Sequence, residues 1–515
     1  MKPRKPRPAA QRPPKPAFLS DRGPARMRQP SASDLSRAGG HVASTLAREY
    51  WEALENPKGK TLSAILREHP EAMGLLNDFQ KFKTRQYLAA MARWYGWLRG
   101  HSQRLTEWPL LLASLLESDR VDDTHRAWAR RCNIAPERLM ALGDAPNWVV
   151  RGEGYRRLVG SNRANVDPWS LLPGWLRGHL PAPPPDESPK DWHTAILEGF
   201  QYRPYRWVRL RDIQKNRTIE DTLEKLEEQT GQSAWRARKM PAAVRWPVHV
   251  KLPEAREPWP WIAQDFSDQI TAQVCDPDPG ERWCLIEPRD LSIAIDLADR
   301  MKGKGVVVVV SANERLLRAA AQLAKRCGCH NVTTRGMAGD NLPGKPGIYD
   351  GVLVDMHGMG MDRWRSQPES RLRCDERQLK TVVAAIDARL RSAEKALKSG
   401  GRLVYAVGSL TADETDSVAD RFVTENPGMT PLEFEDPRTG KLGPPRLHFW
   451  PERDWGEAVF IARWTKSTPL SAGERKGNVS AERPAKPKAR SKKPQVTEVA
   501  EESTESATPP TDAEA

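Results

Sequence analysis

Asp355 closes an almost wholly apolar run, Gly351-Val352-Leu353-Val354-Asp355, and is followed by Met356, His357 and Gly358. A carboxylate and an imidazole at a strand end are the residue types that general acid–base chemistry uses. His357 has no partner that the sequence assigns, so it stands as a single candidate acid or base. For Asp355 a loop-capping role is favoured over a catalytic one. Thiol chemistry has few starting points. The six cysteines (Cys132, Cys275, Cys284, Cys327, Cys329 and Cys374) are scattered. Cys327-Gly328-Cys329-His330 forms the one cluster; without a second pair at zinc-site spacing it reads as a helix end, and no metal site is expected. Cys374 lies downstream of Asp355 and reads as the neutral start of a helix, since nothing fixes it against a substrate. A second chemistry is carried by tryptophan beside arginine, at Arg93-Trp94, Arg206-Trp207, Arg363-Trp364-Arg365 and Arg463-Trp464. Exposed, such pairs stack on unpaired bases while the guanidinium holds phosphate. Most of the 19 tryptophans are expected in the core, and RNA contact is assigned to Arg363, Trp364 and Arg365.

These residues must be positioned by a chain of 515 residues, long enough for two or three domains. A net charge of +14 points to a polyanionic partner. No apolar run is long enough to span a membrane, and the basic, proline-rich N-terminus lacks a signal-peptide core, so a cytoplasmic protein without membrane contact is expected. Residues 1–40 and 467–515 are poor in large apolar residues and read as disordered tails, the second basic and then acidic. Between 41 and 160, Val42, Leu46, Tyr50, Trp51 and Leu54, and later Leu88, Met91, Ala92, Tyr95 and Leu98, recur at helical spacing. From 161 to 260 a proline-punctuated connector (Pro168-Trp169, Pro173 to Leu176) leads to a strand, Arg206 to Leu210. A helix then opens at Thr218, which has capping-box spacing to Asp221. From 261 to 466 apolar strands (Trp283–Ile286, Val306–Val310, Gly351–Asp355, Arg402–Val407 and 458–464) alternate with helices (Leu291–Met301, Leu316–Arg326, Gln378–Leu397 and Thr415–Phe422). That alternation predicts a doubly wound parallel sheet with its ligand site at the strand C-termini.

Alternation alone fits many proteins; particular phrases narrow it. Gln264 to Trp283, QDFSDQITAQVCDPDPGERW, is similar to the lead into the first strand of RsmB/NOP-type RNA (cytosine-5) methyltransferases. Tyr349 to Asp355 resembles that family's fourth strand, and Lys398 to Tyr405 the turn and strand before one of its two cysteines. Ser409 to Glu414 resembles the acidic segment after that cysteine, and Glu457 to Arg463 the closing strand. Upstream, residues 41–150 resemble the NusB-like domain of the bacterial rRNA branch, Pro168 to Leu176 its linker, and Val208-Arg209-Leu210 the start of its RNA-recognition subdomain.

The resemblance implies a class I, Rossmann-like α/β methyltransferase domain preceded by an all-helical NusB-like bundle and a small α/β RNA-recognition subdomain. It also implies S-adenosylmethionine as cofactor and RNA, rRNA by family, as partner. The family's chemistry adds a cysteine thiolate to C6 of cytosine so that C5 can take a methyl group, and a second cysteine releases the product. Carried over position by position, Asp355 keeps the family's Asp, but Gly358 stands at one cysteine and Gly408 at the other. No glycine lies between Gly280 and Gly303, where the family's cofactor loop carries them, and Val310 takes the place of the ribose-binding acid. Asp355 and Asp340, the latter at the adenine-contacting acid, remain as cofactor-binding candidates. Arg209 joins Arg363, Trp364 and Arg365 as RNA-binding candidates. The expected protein is an RNA-binding, catalytically impaired methyltransferase homologue with no assignable catalytic residue. The alternatives are an active methyltransferase with relocated chemistry and a scaffold whose helical domain and tails recruit protein partners.

Overall fold

The structure, a computed structural model, describes residues 32–467 apart from 100–106, 119–120, 140–147, 160–165, 213–217 and 455. Its N-terminal part is helical, from Ala32–Glu55 through Asp78–Arg93 and Glu107–Glu117 to Trp148–Val159. The periodic apolar residues Leu46, Tyr50, Leu54, Leu88, Met91 and Leu98 are its buried face, with Val42, Trp51 and Tyr95 packed against them. Burial of such a stripe, rather than helix propensity, is what holds short helices together. The first helix starts at Ala32, inside the stretch expected to be tail; the remaining tail residues, 1–31 and 468–515, lie outside the described residues. Gly39-Gly40 looks like a helix breaker but is a contact point. A Cβ at Gly40 would lie 2.5 Å from Thr124 Cγ2, and one at Gly39 would lie 3.1 Å from the Gln80 carbonyl.

A four-stranded sheet follows, made of β1 (Arg206–Leu210), β2 (Trp235–Arg236), β3 (Ala243–Trp246) and β4 (Trp261–Ala263) in the order β2-β3-β1-β4. The helix Ile219–Thr230 is opened by a reciprocal Thr218–Asp221 capping box, as the spacing predicts, and stopped by Gly231 at φ 63°. Only β1 of this sheet is legible from sequence, because the other strands are four residues or fewer.

The C-terminal part is an eight-stranded sheet. Its strands are β5 (Arg282–Ile286), β6 (Val306–Ser311), β7 (Val332–Gly336), β8 (Tyr349–Met356), β9 (Leu397–Val407) and β10 (Met429–Pro431), joined after the small hairpin β11 (Phe434–Asp436) and β12 (Lys441–Gly443) by β13 (Arg446–Phe449) and β14 (Val459–Lys466). The order is β10-β14-β9-β8-β5-β6-β7, with β13 also paired to β14. Strands β5 to β9 are parallel and β14 is antiparallel to β9. Apolar clusters cover both faces of the sheet, as continuous apolar strands require. The expected α/β architecture is therefore present. Strand β7 is absent from the sequence reading because, at the sheet edge, its residues are largely exposed and carry no apolar signal.

Candidate functional site

Register alone assembles the site. Ile286 pairs with Val354, and Met356 pairs with Val407. The chain therefore leaves β5, β8 and β9 at one edge, presenting Glu287 to Asp290, Asp355 to Gly358, and Gly408 together. The Asp355 carboxylate is fully buried. It accepts from the Arg289 backbone N–H at 2.9 Å and from Arg289 Nε at 2.5 Å. Arg289 Nη2 donates to Asp268 at 2.9 Å, and its Nη1 lies 3.6 Å from Asp362. This guanidinium is 3% exposed. Burial lowers its proton affinity, but the charges of Asp355, Asp268 and Asp362 more than offset that and leave it firmly protonated. Burial in turn pushes the Asp268 carboxyl well above the usual range, against the pull of Arg289. One buried cation thus faces three carboxyl groups.

The two glycines at the expected cysteine positions are filled sites. Gly358 sits at φ 58°, a region that side-chain-bearing residues seldom adopt. A Cβ there would lie 2.3 Å from Glu414 Oε1 and 2.7 Å from Val407 Cγ2. At Gly408 a Cβ would lie 2.4 Å from the Asp362 carboxyl carbon. Glu414 is held where it is by the Met359 N–H at 2.7 Å, Ser409 Oγ at 2.5 Å and Thr411 Oγ1 at 2.7 Å. His357, without a partner in the sequence reading, has one: Nδ1 is 2.9 Å from Asp362 Oδ2, and the imidazole is about one-third exposed. The partner lies only five residues on, but the intervening chain folds back through Gly358 and Gly360, both at positive φ, which periodicity cannot reveal. Cys374 donates to the Met359 carbonyl at 3.1 Å, and burial raises its thiol to about 12, so it is held as the neutral thiol expected of it.

The remaining sequence candidates do not converge on this edge. Trp364 and Arg365 are buried, not displayed at a mouth. Arg365 donates to the carbonyls of Gly456 at 2.8 Å, Arg203 at 3.1 Å and Tyr202 at 3.3 Å, fixing the loop that follows β8. Trp364 packs on Phe200 with ring centroids 5.2 Å apart. Of that triplet Arg363 alone is partly exposed. Arg209 is also buried, donating to Gln264 and Asp299, each within 3.0 Å. A guanidinium fits these places because its fork can satisfy several carbonyls or carboxylates at once. Asp340 is exposed after β7 and paired with Arg389. Arg289 and Glu287 give no signal in the sequence, being loop residues whose partners are distant along the chain. Glu287, at φ 50°, accepts from Ser311 Oγ at 2.9 Å and the Ala312 N–H at 3.1 Å, so a carboxylate from the end of β5 meets the end of β6 where Val310 replaces an acid. Two cavities of about 400 Å³ are lined by Pro168 to Leu197 and by Asp278 to Thr465 at the opposite strand ends, with no lining residue from the Asp355 edge. Among the described residues, no group of three His, Cys, Asp or Glu side chains could hold a metal ion, and no helix is long and apolar enough to cross a membrane.

Residues 294–465 match the family model for the 16S rRNA methyltransferase RsmB/F. Over these residues the α/β domain resembles the RsmB/NOP family. A probable ribosomal RNA small subunit methyltransferase B from Synechocystis is 24% identical, over 64% of this chain and 75% of its own. Ribosomal RNA small subunit methyltransferase F from Aliivibrio salmonicida is 25% identical over 40% of this chain, and a 28S rRNA (cytosine-C(5))-methyltransferase from Mus musculus is 27% identical over 37%. The chain spans less than half the length of these last two relatives, 45% and 26%. The crystal structure of PH0851 superposes with a TM-score of 0.60 at 17% identity, over 83% of this chain and 99% of that one, so the fold is common to nearly the whole described molecule. The scaffold is that of a family of rRNA methyltransferases.

Proposed function

We propose that this protein binds RNA, of the rRNA class its relatives act on, without carrying out cysteine-dependent methylation of cytosine. The observation that carries the reading is the pair of occupied glycines. A nucleophile must present sulfur to C6 of the ring, and at positions 358 and 408 there is neither sulfur nor space for it. The cofactor edge supports the same reading. S-adenosylmethionine brings a sulfonium and an ammonium group to the strand ends, where unpaired carboxylates would receive them. Here Asp355 and Asp268 are already taken by Arg289, the loop after β5 has no glycine to let a ligand approach its backbone, and Ser311 is occupied by Glu287. These residues do not fit the cofactor, and no catalytic step is derived through it.

One observation favours a second reading, transfer to an acceptor other than C5. The His357–Asp362 pair holds a partly exposed imidazole through Nδ1, the arrangement of a general base. Such transfer still needs the cofactor. Calorimetry of the full chain with S-adenosylmethionine, beside filter binding of rRNA fragments over a salt series, separates the two. The proposal expects no heat of cofactor binding and RNA affinity that falls steeply with salt. Micromolar cofactor binding would restore the second reading, and absence of salt-sensitive RNA binding would end the first.

A further inference from the structure

Arg209, Trp364 and Arg365 are buried, so an RNA surface must be made of other residues. The helix Asp78–Arg93 and the turn after β3 meet along a seam where rings and cations alternate. The His249 ring lies 6.0 Å from Phe79 and 6.2 Å from Phe82, centroid to centroid. Lys83 Nζ stands 5.8 Å from the Phe79 centroid and 5.9 Å from that of Tyr87. Arg206, at the start of β1, donates to the Val250 carbonyl at 2.8 Å, which holds its guanidinium beside His249. Arg85 is exposed on the same helix, Phe79, Phe82, Lys83, Arg206 and His249 are partly exposed, and Tyr87 is buried beneath them.

This seam gathers like charges. Burial and then the nearby Arg85 lower the proton affinity of Arg206. Burial, Arg206 and Lys83 do the same to His249. Burial and Arg203 depress Lys83, with Asp122 pulling the other way. Few carboxylates answer them. Glu117 is engaged by Arg93 and Arg203, and Asp122 caps the next helix through His125 and accepts from Tyr87. Lys83, Arg85 and Arg206 held near each other cost free energy, part of which an arriving anion would offset, while His249, its proton affinity lowered, serves as a ring. Rings between the cations select the kind of anion, since flat bases stack on aromatic faces while phosphates meet the charges.

We propose that this seam, Phe79, Phe82, Lys83, Arg85, Arg206 and His249, is the binding surface for an unpaired RNA strand, with bases on the rings and phosphates on the cations. The proposal rests on the RNA-binding reading above and deepens it. The test uses the full chain, a short fluorescein-labelled single-stranded RNA and fluorescence anisotropy across a salt series. The double variant Arg85→Glu with Arg206→Glu should weaken binding at least about tenfold and flatten the salt dependence. Lys380→Glu with Arg391→Glu, an equal charge change on the exposed side of the helix Leu379–Ala396, should leave affinity within about twofold. If both pairs weaken binding equally, bulk charge and not the seam binds RNA, and the proposal is overturned. If the wild type binds and the seam variant is unchanged, the seam fails while the RNA-binding reading stands; if the wild type does not bind, both fail. Because Arg206 is partly buried, ultraviolet cross-linking of the unaltered protein to the same RNA provides a measurement that needs no variant. Adducts on peptides containing Phe79, Phe82 or His249 are expected, and adducts confined to other peptides would contradict the seam.

Discussion

Two charged regions of this molecule are built on opposite terms. At the C-terminal edge of the large sheet, Arg289 is sealed among Asp268, Asp355 and Asp362, and the two glycine positions are closed by Glu414 and Asp362. Along the seam between the helix Asp78–Arg93 and the small sheet, Lys83, Arg85 and Arg206 gather beside the rings of Phe79, Phe82 and His249, with Asp122 drawing on Lys83. The first region has satisfied its own charges and offers little to a ligand. The second, on the proposal above, takes its counter-charge from RNA phosphates. On the proposed function, the contrast means that a methyltransferase scaffold would lose the chemistry at its strand ends and keep a surface for nucleic acid, because the two are carried by different elements.

Arg289→Met should have the largest effect. Removing one side of a buried ion cluster leaves charge uncompensated, and a loss of about 3–5 kcal/mol is expected in urea unfolding; a loss under about 1 kcal/mol would mean that the cluster is solvated and the edge open. Gly358→Cys comes next, at about 2–4 kcal/mol, from overpacking against Glu414 together with backbone strain. It should bring no activity, since the added thiol has no space beside a substrate, and a stable variant that methylates cytosine would undo the comparison. Glu452 calibrates the cost of a buried carboxyl outside both regions. Both its oxygens lack hydrogen-bond partners, Arg453 Nε lies 3.4 Å away, and burial raises its pKa from 4.5 to about 7. The raised folded-state value means that this group's contribution is fully present below about pH 4.5 and is lost as pH rises towards 7. Glu452→Gln should therefore stabilise the protein by about 1–3 kcal/mol at neutral pH and by almost nothing near pH 4.5; a benefit equal at both would show that titration is not its source. The smallest change belongs to the seam: Arg85→Ala should alter stability by less than about 0.5 kcal/mol, in contrast to Arg289, and a loss of several would show that Arg85 is structural.

The elements that frame the site were legible because burial writes itself into sequence. Val306 to Val310 sits between helices on both faces, so nothing polar interrupts it, and Thr218 with Asp221 declares a helix start through local hydrogen bonds alone. The filled edge was legible only by subtraction, as thiols missing at 358 and 408. Its occupants were not, because Arg289 meets Asp355 across 66 residues of chain and a loop has no period to read. Trp364 and Arg365 misled for a related reason. Arginine beside tryptophan marks a binding surface when exposed, yet here the guanidinium fastens a loop to three carbonyls, and composition does not distinguish the two. Phe79, Phe82 and Lys83 escaped notice because their significance arises only when β1 and the turn after β3 bring Arg206 and His249 alongside.

The most direct test incubates the purified full chain with rRNA and S-adenosylmethionine labelled in the methyl group, then digests the RNA and separates its nucleosides. The account predicts no label in 5-methylcytidine above a no-enzyme control, while the same preparation retains salt-sensitive RNA binding. Label accumulating in 5-methylcytidine in proportion to protein would contradict it.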